Sequence, residues 1–202
     1  RIHSEPEPIY YNYGQTKLKM VKWRLKSFYE FRKRKKFLDK CGLKMIPDQK
    51  FVYFPLPVQP ESQSYAWAPF HTNLISLIEN IARSIPVEYL LFIKEHPGQV
   101  SKMWRPVNFY KQILSIPNAR LIHHQISNFE MLAKCDLTVL INSSTGLESL
   151  FYKKPVIVFS SVLYDVVSMV KKIEKIEDLP KMIKNSIYNF NFNDDEFSHL
   201  IE

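Results

Sequence analysis

Five short apolar segments, each followed by turn-forming or helical sequence, limit the fold of this chain more than any other feature does. The segments are Phe51 to Phe54, Tyr89 to Ile93, Ala119 to Ile122, Leu137 to Ile141 and Pro155 to Phe159. Continuous apolar runs of this length are typical of strands buried on both faces of a parallel sheet. Right-handed crossovers would then connect successive strands. The sequence therefore predicts an α/β fold, a Rossmann-like parallel sheet with helices on both faces.

Helices are expected between and after these strands. Apolar residues recur at helical spacing from Phe70 to Ser84, and a further helix is expected from Val107 to Ser115. Ser127-Asn128-Phe129-Glu130 has the pattern of a capping box that opens a short helix ending at Lys134. Glu177-Asp178-Leu179-Pro180 places acidic residues and a proline where a helix begins, and that helix should run to about Tyr188.

The charge of the chain divides it near residue 50. The net charge is +8, but residues 1–50 hold 14 Lys/Arg and 5 Asp/Glu, so the remainder is nearly neutral. We therefore predict a basic helical arm at 1–50 and a Rossmann-like domain at 51–202. Within the arm, Gln15 to Lys40 has helical periodicity. The arm is interpreted as a connecting helix with one packed face, as a contact with an anionic membrane or, least favoured, as a nucleic-acid arm.

Composition and missing motifs exclude several classes of function. The two cysteines, Cys41 and Cys135, lie far apart, which fits a reducing compartment without excluding one disulfide. No apolar run approaches the roughly 18–20 residues of a membrane span, and we expect a cytoplasmic protein, peripheral on the inner membrane if the arm binds lipid. The glycine-rich dinucleotide and P-loop motifs and the nucleophile elbow are absent from the sequence, as is the Asp-x-Asp of metal-held diphosphates.

The turn from Asn142 to Ser149 is the first candidate site. It follows an apolar strand and opens a helix, and it carries Ser143, Ser144, Thr145 and Gly146. Free N–H groups and the helix dipole make the start of a helix a site for anions. The alternative is that these residues only cap the helix. We predict that this turn holds a phosphate.

A second candidate, His96-Pro97, follows another strand. Because parallel strands end at the same edge of a sheet, we expect His96 to lie beside the serine-rich turn. A histidine there can donate to a phosphate oxygen and stabilise the charge on a departing nucleotide, which makes His96 the predicted catalytic residue. Glu148 would accept hydrogen bonds from a ribose diol. His123 and His124 should point to opposite faces of a strand end, either in the core or lining the cleft.

Four motifs, in the same order along residues 50–165, resemble those of the capsular-polysaccharide biosynthesis glycosyltransferases, which are related to bacterial Kdo transferases. The motifs are Phe51 to Glu61, Lys94-Glu95-His96-Pro97, Asn142 to Ser149 and Lys154-Pro155-Val156. Members have a GT-B architecture of two Rossmann-like domains that face each other across a cleft. The resemblance implies that this chain is the donor-binding half, with the acceptor half outside it.

The resemblance also implies roles for individual residues. His96 and the Ser143–Gly146 turn would contact the nucleotide phosphate, and Glu148 the ribose. Further positions implied to lie at the substrate cleft are Lys94, Glu95, Pro97, Gln59, Glu61 and Tyr164. No metal and no cofactor are expected beyond the nucleotide-sugar donor, which we predict to be CMP-linked.

The leading hypothesis is therefore a glycosyltransferase of bacterial capsular or surface polysaccharide, using a CMP-activated acidic sugar such as CMP-Kdo. Its partners would be the donor and a glycan or glycolipid acceptor, with membrane contact through residues 15–40 and no nucleic acid. Two alternatives stay open: a non-catalytic nucleotide-binding module, and an enzyme similar to UDP-sugar epimerases.

Overall fold

The structure, a computed structural model, describes residues 17–58, 73–96, 99 and 105–201. Its centre is a sheet of six parallel strands in the order β3-β2-β1-β4-β5-β6. The strands are β1 (Phe51–Pro55), β2 (Leu90–Lys94), β3 (Ala119–Ile122), β4 (Leu137–Leu140), β5 (Val156–Val158) and β6 (Val170–Lys172). The five predicted strands are confirmed to within one residue at each end. The sixth, β6, was missed because two of its three residues are exposed lysines.

Seven α-helices lie in the part of the chain that the structure describes. They are α1 (Lys17–Cys41), α2 (Leu74–Ser84), α3 (Val107–Leu114), α4 (Asn128–Lys134), α5 (Thr145–Phe151), α6 (Leu179–Tyr188) and α7 (Asp194–Ile201). A short 3-10 turn, Ile176–Asp178, leads into α6. Helices α2, α3 and α6 pack on one face of the sheet, and α4 and α5 on the other. The predicted arrangement with both faces covered is confirmed.

Alternation along the strands decides which face each side chain enters. Val52 and Phe54 of β1 join the large core under α2, α3 and α6. Phe51 and Tyr53 join a second core with Met131 of α4. Because successive side chains of a strand point to opposite faces, the last residues of each strand, at the edge of the sheet, also alternate between the two faces.

The start of α4 differs in one detail from the prediction. Ser127 caps the helix, but its Oγ accepts from Phe129 N at 3.2 Å, one residue earlier than the N–H of Glu130 that a capping box uses.

In the part of the chain that the structure describes, the basic helix α1 contacts the domain through its last turns. Leu38 is buried in the large core, and Leu43, just beyond the helix, pairs with the edge of β3: its N–H donates to Leu121 O and its carbonyl accepts from His123 N, both at 2.9 Å. The earlier turns expose Leu18 and Leu25. No helix among the described residues is long and apolar enough to cross a membrane.

Candidate functional site

The candidate site lies where the order of the strands reverses. The chain builds the sheet from β1 through β2 to β3 on one side, and from β4 through β5 to β6 on the other. Strand β1 pairs with both β2 and β4, so the loops at the carboxyl ends of these three strands are neighbours. Ligands of open parallel sheets bind in the crevice at such a point. The prediction that His96 and the serine-rich turn share one sheet edge is confirmed, and β1 separates their strands by about 10 Å.

The polar turn after β4 is held by bonds among its own residues. Ser143 Oγ accepts from Thr145 N at 3.2 Å and lies 3.1 Å from Thr145 Oγ1, to which it donates. Gly146 N donates to Ser143 O at 3.2 Å, and Glu148 N donates to Ser144 O at 3.0 Å. The N–H groups of Thr145 and Gly146, which were expected to be open to an anion, are thus engaged within the turn, and the Glu148 N–H makes the first bond of the helix.

Hydroxyl groups are therefore the donors best placed to meet a ligand at this turn. The seven-residue helix α5 adds only a short stack of peptide dipoles. Ser144 is exposed, and its hydroxyl donates to Glu148 Oε1 over a long 3.3 Å. That bond is weak enough to be exchanged for one to a phosphate oxygen or a sugar.

Tyr164 clamps the turn from the segment after β5. Its hydroxyl donates to the carbonyl oxygen of Ser143, and its ring covers Gly146. A Cβ atom at Gly146 would lie 2.7 Å from Tyr164 Cε2 and Cζ, well inside the contact distance of carbon atoms. Burial raises the pKa of Tyr164 to about 12, so the phenol is protonated and can donate at neutral pH. Tyr164, predicted at the cleft, fixes the position of Ser143.

Lys94, the last residue of β2, is buried on the α4–α5 side of the sheet and only 2% exposed. Its Nζ donates to Asn128 Oδ1 at 2.5 Å, and the Tyr53 hydroxyl donates to the same oxygen at 3.1 Å. Burial lowers the pKa of Lys94, and the Glu148 carboxylate acts in the opposite sense. Burial also raises the pKa of Tyr53, with smaller contributions from Cys135 and Glu148. That Lys94 contacts substrate stays a prediction; its ammonium is buried and interacts with the Glu148 carboxylate.

Glu95 enters the opposite face, as the alternation of side chains requires. It is 4% exposed; its Oε1 pairs with Arg105, and its Oε2 accepts from the Tyr110 hydroxyl at 2.7 Å. Arg105 also donates to Pro57 O at 2.5 Å, so this pair ties the loop after β1 to the loop after β2. That Glu95 contacts substrate stays a prediction; in the structure its carboxylate is in an internal ion pair, and its Oε1 accepts from His96 N at 3.1 Å.

His96 itself is exposed at the sheet edge. Its backbone is fixed on both sides, since its N–H donates to Glu95 and its carbonyl accepts from Gln99 N at 2.9 Å. The other predicted contacts of this region, Gln59, Glu61 and Pro97, lie outside the described residues. The ligand contacts of His96 and of the turn stay predictions.

His123 and His124 do not point to opposite faces, so that prediction is wrong. They follow the end of β3, where the chain turns, and their ring centroids are 4.3 Å apart at an interplanar angle of 35°. His123 Nδ1 accepts from Gln125 N at 3.3 Å, so its Nε2 carries the proton and donates to Asp39 Oδ1 at 3.0 Å. Burial lowers the pKa of His124, and the positive charges of Lys35 and Lys94 add to that effect, whereas the Asp39 carboxylate opposes it.

A family model described as capsule polysaccharide biosynthesis protein matches residues 8–185. The chain belongs to this family. The Escherichia coli capsule polysaccharide export protein KpsS is 28% identical over 126 residues, which cover 59% of this chain and 32% of KpsS. This member of the capsule polysaccharide biosynthesis family thus spans about a third of that relative.

Solved structures agree with the fold of this family member. Thermosulfurimonas dismutans KpsC, a beta Kdo 2,7 transferase, matches with a TM-score of 0.50 at 15% identity, over 77% of this chain and 51% of that one. The UDP-GlcNAc 2-epimerase from Methanocaldococcus jannaschii matches with a TM-score of 0.56 at 16% identity, over 82% and 45%. At such identities the likeness establishes the Rossmann-like fold, and this chain spans about half of each structure.

Four residues that shape this site in the capsule family chain escaped the sequence analysis. Tyr53 and Asn128 surround the Lys94 ammonium, and Arg105 and Tyr110 surround the Glu95 carboxylate. Each lies at least ten residues from its partner, so spacing along the sequence carries no signal for the contact. A signal did exist for Lys94 and Glu95, because adjacent charged residues at the end of a buried strand must enter opposite faces and each must find a partner there.

Proposed function

We propose that this chain is the donor-binding half of a glycosyltransferase of capsule polysaccharide biosynthesis, and that its donor is a CMP-linked acidic sugar such as CMP-Kdo. Membership of the capsule family supports the pathway. The fold shared with a beta Kdo 2,7 transferase is consistent with the sugar. A GT-B partner domain would supply the acceptor side of the cleft.

The observation that carries the proposal is the place of the turn Ser143 to Glu148, at the point where the strand order reverses. There the exposed Ser144 hydroxyl and the Glu148 carboxylate stand together, and Tyr164 holds the turn in one position. The buried Lys94 ammonium interacts electrostatically with the Glu148 carboxylate. Neutral donors near a buried cation suit the phosphate group of a CMP-linked sugar, and a carboxylate beside them suits a ribose diol.

In the proposed reaction the bond between the anomeric carbon and the CMP phosphate oxygen breaks, and a bond to an acceptor hydroxyl oxygen forms. His96 donates a hydrogen bond to the phosphate, and the hydroxyls of Ser143 and Ser144 exchange their bonds to Thr145 Oγ1 and Glu148 Oε1 for bonds to the phosphate. These donors offset the charge that grows on the departing CMP. No metal takes part in this scheme. The proton of the acceptor hydroxyl goes to a base that, by the resemblance, belongs to the acceptor half.

Calorimetric titration of the chain with CMP and with UDP tests the donor assignment. We expect CMP to bind, and His96→Ala, Ser144→Ala and Glu148→Gln each to weaken CMP binding by about 5- to 50-fold, the loss of one or two polar contacts to a charged ligand. Ser198→Ala is the matched control, because Ser198 is exposed on α7 and donates only to Asp194 O in its own helix.

Three results would count against this assignment. Absence of nucleotide binding by the wild type would remove the donor site, and equal binding by Ser144→Ala and Ser198→Ala would remove the turn from it. A preference for UDP, with release of free UDP and an epimerised sugar in the absence of an acceptor, would replace the transferase by an epimerase. Nucleotide binding without transfer by the full-length protein would favour the non-catalytic module.

We propose further that α1 lies on an anionic membrane surface. The helix carries eleven Lys/Arg and two Asp/Glu. Leu18, Val21, Leu25 and Phe28 are 55 to 67% exposed. At 100° per residue these four fall within an arc of about 80°, and the centre of that arc lies about 120° around the helix from the buried Leu38. Apolar side chains flanked by lysines suit the headgroup boundary of a bilayer.

Co-sedimentation with vesicles tests this membrane contact. Binding should need anionic lipid, fall at high salt and decrease strongly in Leu25→Asp, since each lysine or arginine near the surface contributes about 1 kcal/mol and the apolar residues anchor the helix. Val87→Asp, which alters a fully exposed apolar residue remote from α1, is the control. Equal binding to neutral vesicles, or unchanged binding by Leu25→Asp, would instead leave α1 as a connecting helix.

A further inference from the structure

A cluster of metal-ligand side chains joins α1 to the sheet, away from the serine-rich turn. Within the described ranges, Asp39, His123 and His124 form the one group of three such residues whose ligand atoms all lie within 4.8 Å of one another. We propose that these three side chains bind a divalent transition-metal ion of the Zn²⁺ class, which fastens the basic helix to the domain. The proposed function neither requires nor predicts this site.

The backbone around the cluster is already in place. Asp39 lies in the last turn of α1, and Leu43 just beyond it exchanges hydrogen bonds with β3: Leu43 N donates to Leu121 O, and His123 N donates to Leu43 O, each at 2.9 Å. Gly42 packs so closely that an added Cβ would lie 3.2 Å from His123 Cα and 2.8 Å from Leu38 O. Both sides of the cluster are therefore held before any ion arrives, which reduces the entropy lost on binding.

The ligand set is that of a zinc-type ion. Two imidazoles and one carboxylate are preferred by Zn²⁺, with bonds of about 2.0–2.2 Å, and such sites take a water as the fourth ligand. The Asp39 side chain is 42% exposed, so water can reach the cluster, whereas His123 is buried. Ligand atoms around a tetrahedral ion are roughly 3.4 Å apart. Asp39 and His123 already meet at 3.0 Å, and the ligand atom of His124 lies within 4.8 Å of both.

Two features oppose the ion and set the expected strength of binding. The proton on His123 Nε2 must move to Nδ1, which breaks the 3.3 Å hydrogen bond from Gln125 N. Lys35 and Lys94 place positive charge near His124. Only one ligand is anionic, so we expect Zn²⁺ to bind more weakly than at sites with cysteine ligands. We also expect Co²⁺ to bind more weakly than Zn²⁺.

Titration of the chelator-treated chain with Zn²⁺ by calorimetry, and with Co²⁺ by visible absorption, tests the site. We expect one ion per chain and the intense absorption of tetrahedral Co²⁺, with Asp39→Asn and His124→Gln each weakening Zn²⁺ binding by more than about tenfold. His199→Gln, an exposed histidine on α7, is the matched control and should bind as the wild type does.

A second measurement reports the position of the ion. Zn²⁺ should slow tryptic cleavage after Lys40 and Lys44, which flank the junction, in the wild type and in His199→Gln but not in Asp39→Asn. Absence of stoichiometric Zn²⁺ binding, octahedral Co²⁺ absorption, or loss of binding in His199→Gln would each overturn the proposal. If a variant fails to fold, the wild-type Co²⁺ spectrum and cleavage pattern still decide it. CMP binding by the metal-free chain tests the proposed function separately.

Discussion

Replacement of Gly146 by alanine is expected to lower the free energy of unfolding when residue 164 is tyrosine and to raise it when residue 164 is alanine. In the wild type the new methyl group would lie 2.7 Å from two ring carbons of Tyr164 and closer still to its hydroxyl. The ring must move, and its hydrogen bond to Ser143 O must lengthen or break. Gly146→Ala therefore places excess volume against a tyrosine that also holds the candidate site.

The magnitude follows from three opposing contributions. Overpacking of a tight contact costs about 1–3 kcal/mol, and loss of the hydrogen bond costs about 1 kcal/mol more. Alanine within a helix gains about 0.5–1 kcal/mol over glycine. We expect Gly146→Ala to lower the free energy of unfolding by about 2 kcal/mol. In a Tyr164→Ala background the obstruction is gone, and the same substitution should raise the free energy of unfolding by about 0.5–1 kcal/mol.

Urea unfolding followed by far-UV circular dichroism of the wild type, both single variants and the double variant measures a coupling energy of about 3 kcal/mol. Tyr164→Phe is the control, because it keeps the ring carbons and should keep Gly146→Ala destabilising. CMP affinity should fall in Gly146→Ala, since Ser143 loses its support. Equal effects of Gly146→Ala in the wild type and in the Tyr164→Ala variant would refute the contact and the clamp built on it.

Three further predictions concern buried ionisable groups. Glu95→Gln should lower the free energy of unfolding by about 3–5 kcal/mol because it leaves the buried Arg105 guanidinium without its counter-ion; a loss below about 1 kcal/mol in urea would show that the pair is solvated. Burial raises the pKa of Cys135 from 9.0 to about 11, so the folded state keeps a proton that the unfolded state loses. Stability from this thiol is full below pH 9 and should fall by about 3 kcal/mol as the pH rises from 9 to 11, a slope that Cys135→Ala removes and that unfolding at a series of pH values measures. Burial lowers the pKa of Lys94, so on raising the pH the folded state releases this proton before the unfolded state does, and the contribution of Lys94 to stability rises as the pH approaches 10.5. Lys94→Met should cancel that rise and leave the free energy of unfolding at pH 7 unchanged or higher. A marked loss of stability at pH 7 would contradict the cost assigned to burying the ammonium.

The architecture was predictable because a strand that is buried on both faces consists of consecutive apolar residues, which can be recognised in the sequence. Strands such as β3 and β4 could be predicted from their own residues, without knowing which strands they pair with. Strand β6 fails this test: Lys171 and Lys172 are exposed, so only its pairing with β5 defines it as a strand. Where a strand at the edge of a sheet is short and exposed to solvent, its residues are polar, and the apolar run that would identify it in the sequence is absent.

The site was predictable only as far as single segments carry it. The turn Ser143 to Gly146 was found because hydroxyls and a glycine follow a strand. Its clamp was not, since the contact of Gly146 with Tyr164 is made between segments eighteen residues apart. His123 and His124 were misplaced for a related reason: the chain leaves β3 just before them and turns, so the two-residue period of a strand no longer applies.

The electrostatics of the turn then have a different source from the one that its sequence indicates. A hydroxyl-rich helix start binds anions through free N–H groups and a long dipole, but here the N–H groups of Thr145 and Gly146 are bonded within the turn and α5 has only seven residues. A buried positive charge that interacts with the turn is the Lys94 ammonium, which donates to Asn128 and is attracted by the Glu148 carboxylate. Because a buried charge is screened much less by salt than an exposed one, its attraction for a phosphate should persist at high ionic strength. The proposed anion site therefore depends on the end of β2 as much as on the start of α5. The two are brought together because β2 and β4, the strand that leads into α5, both pair with β1.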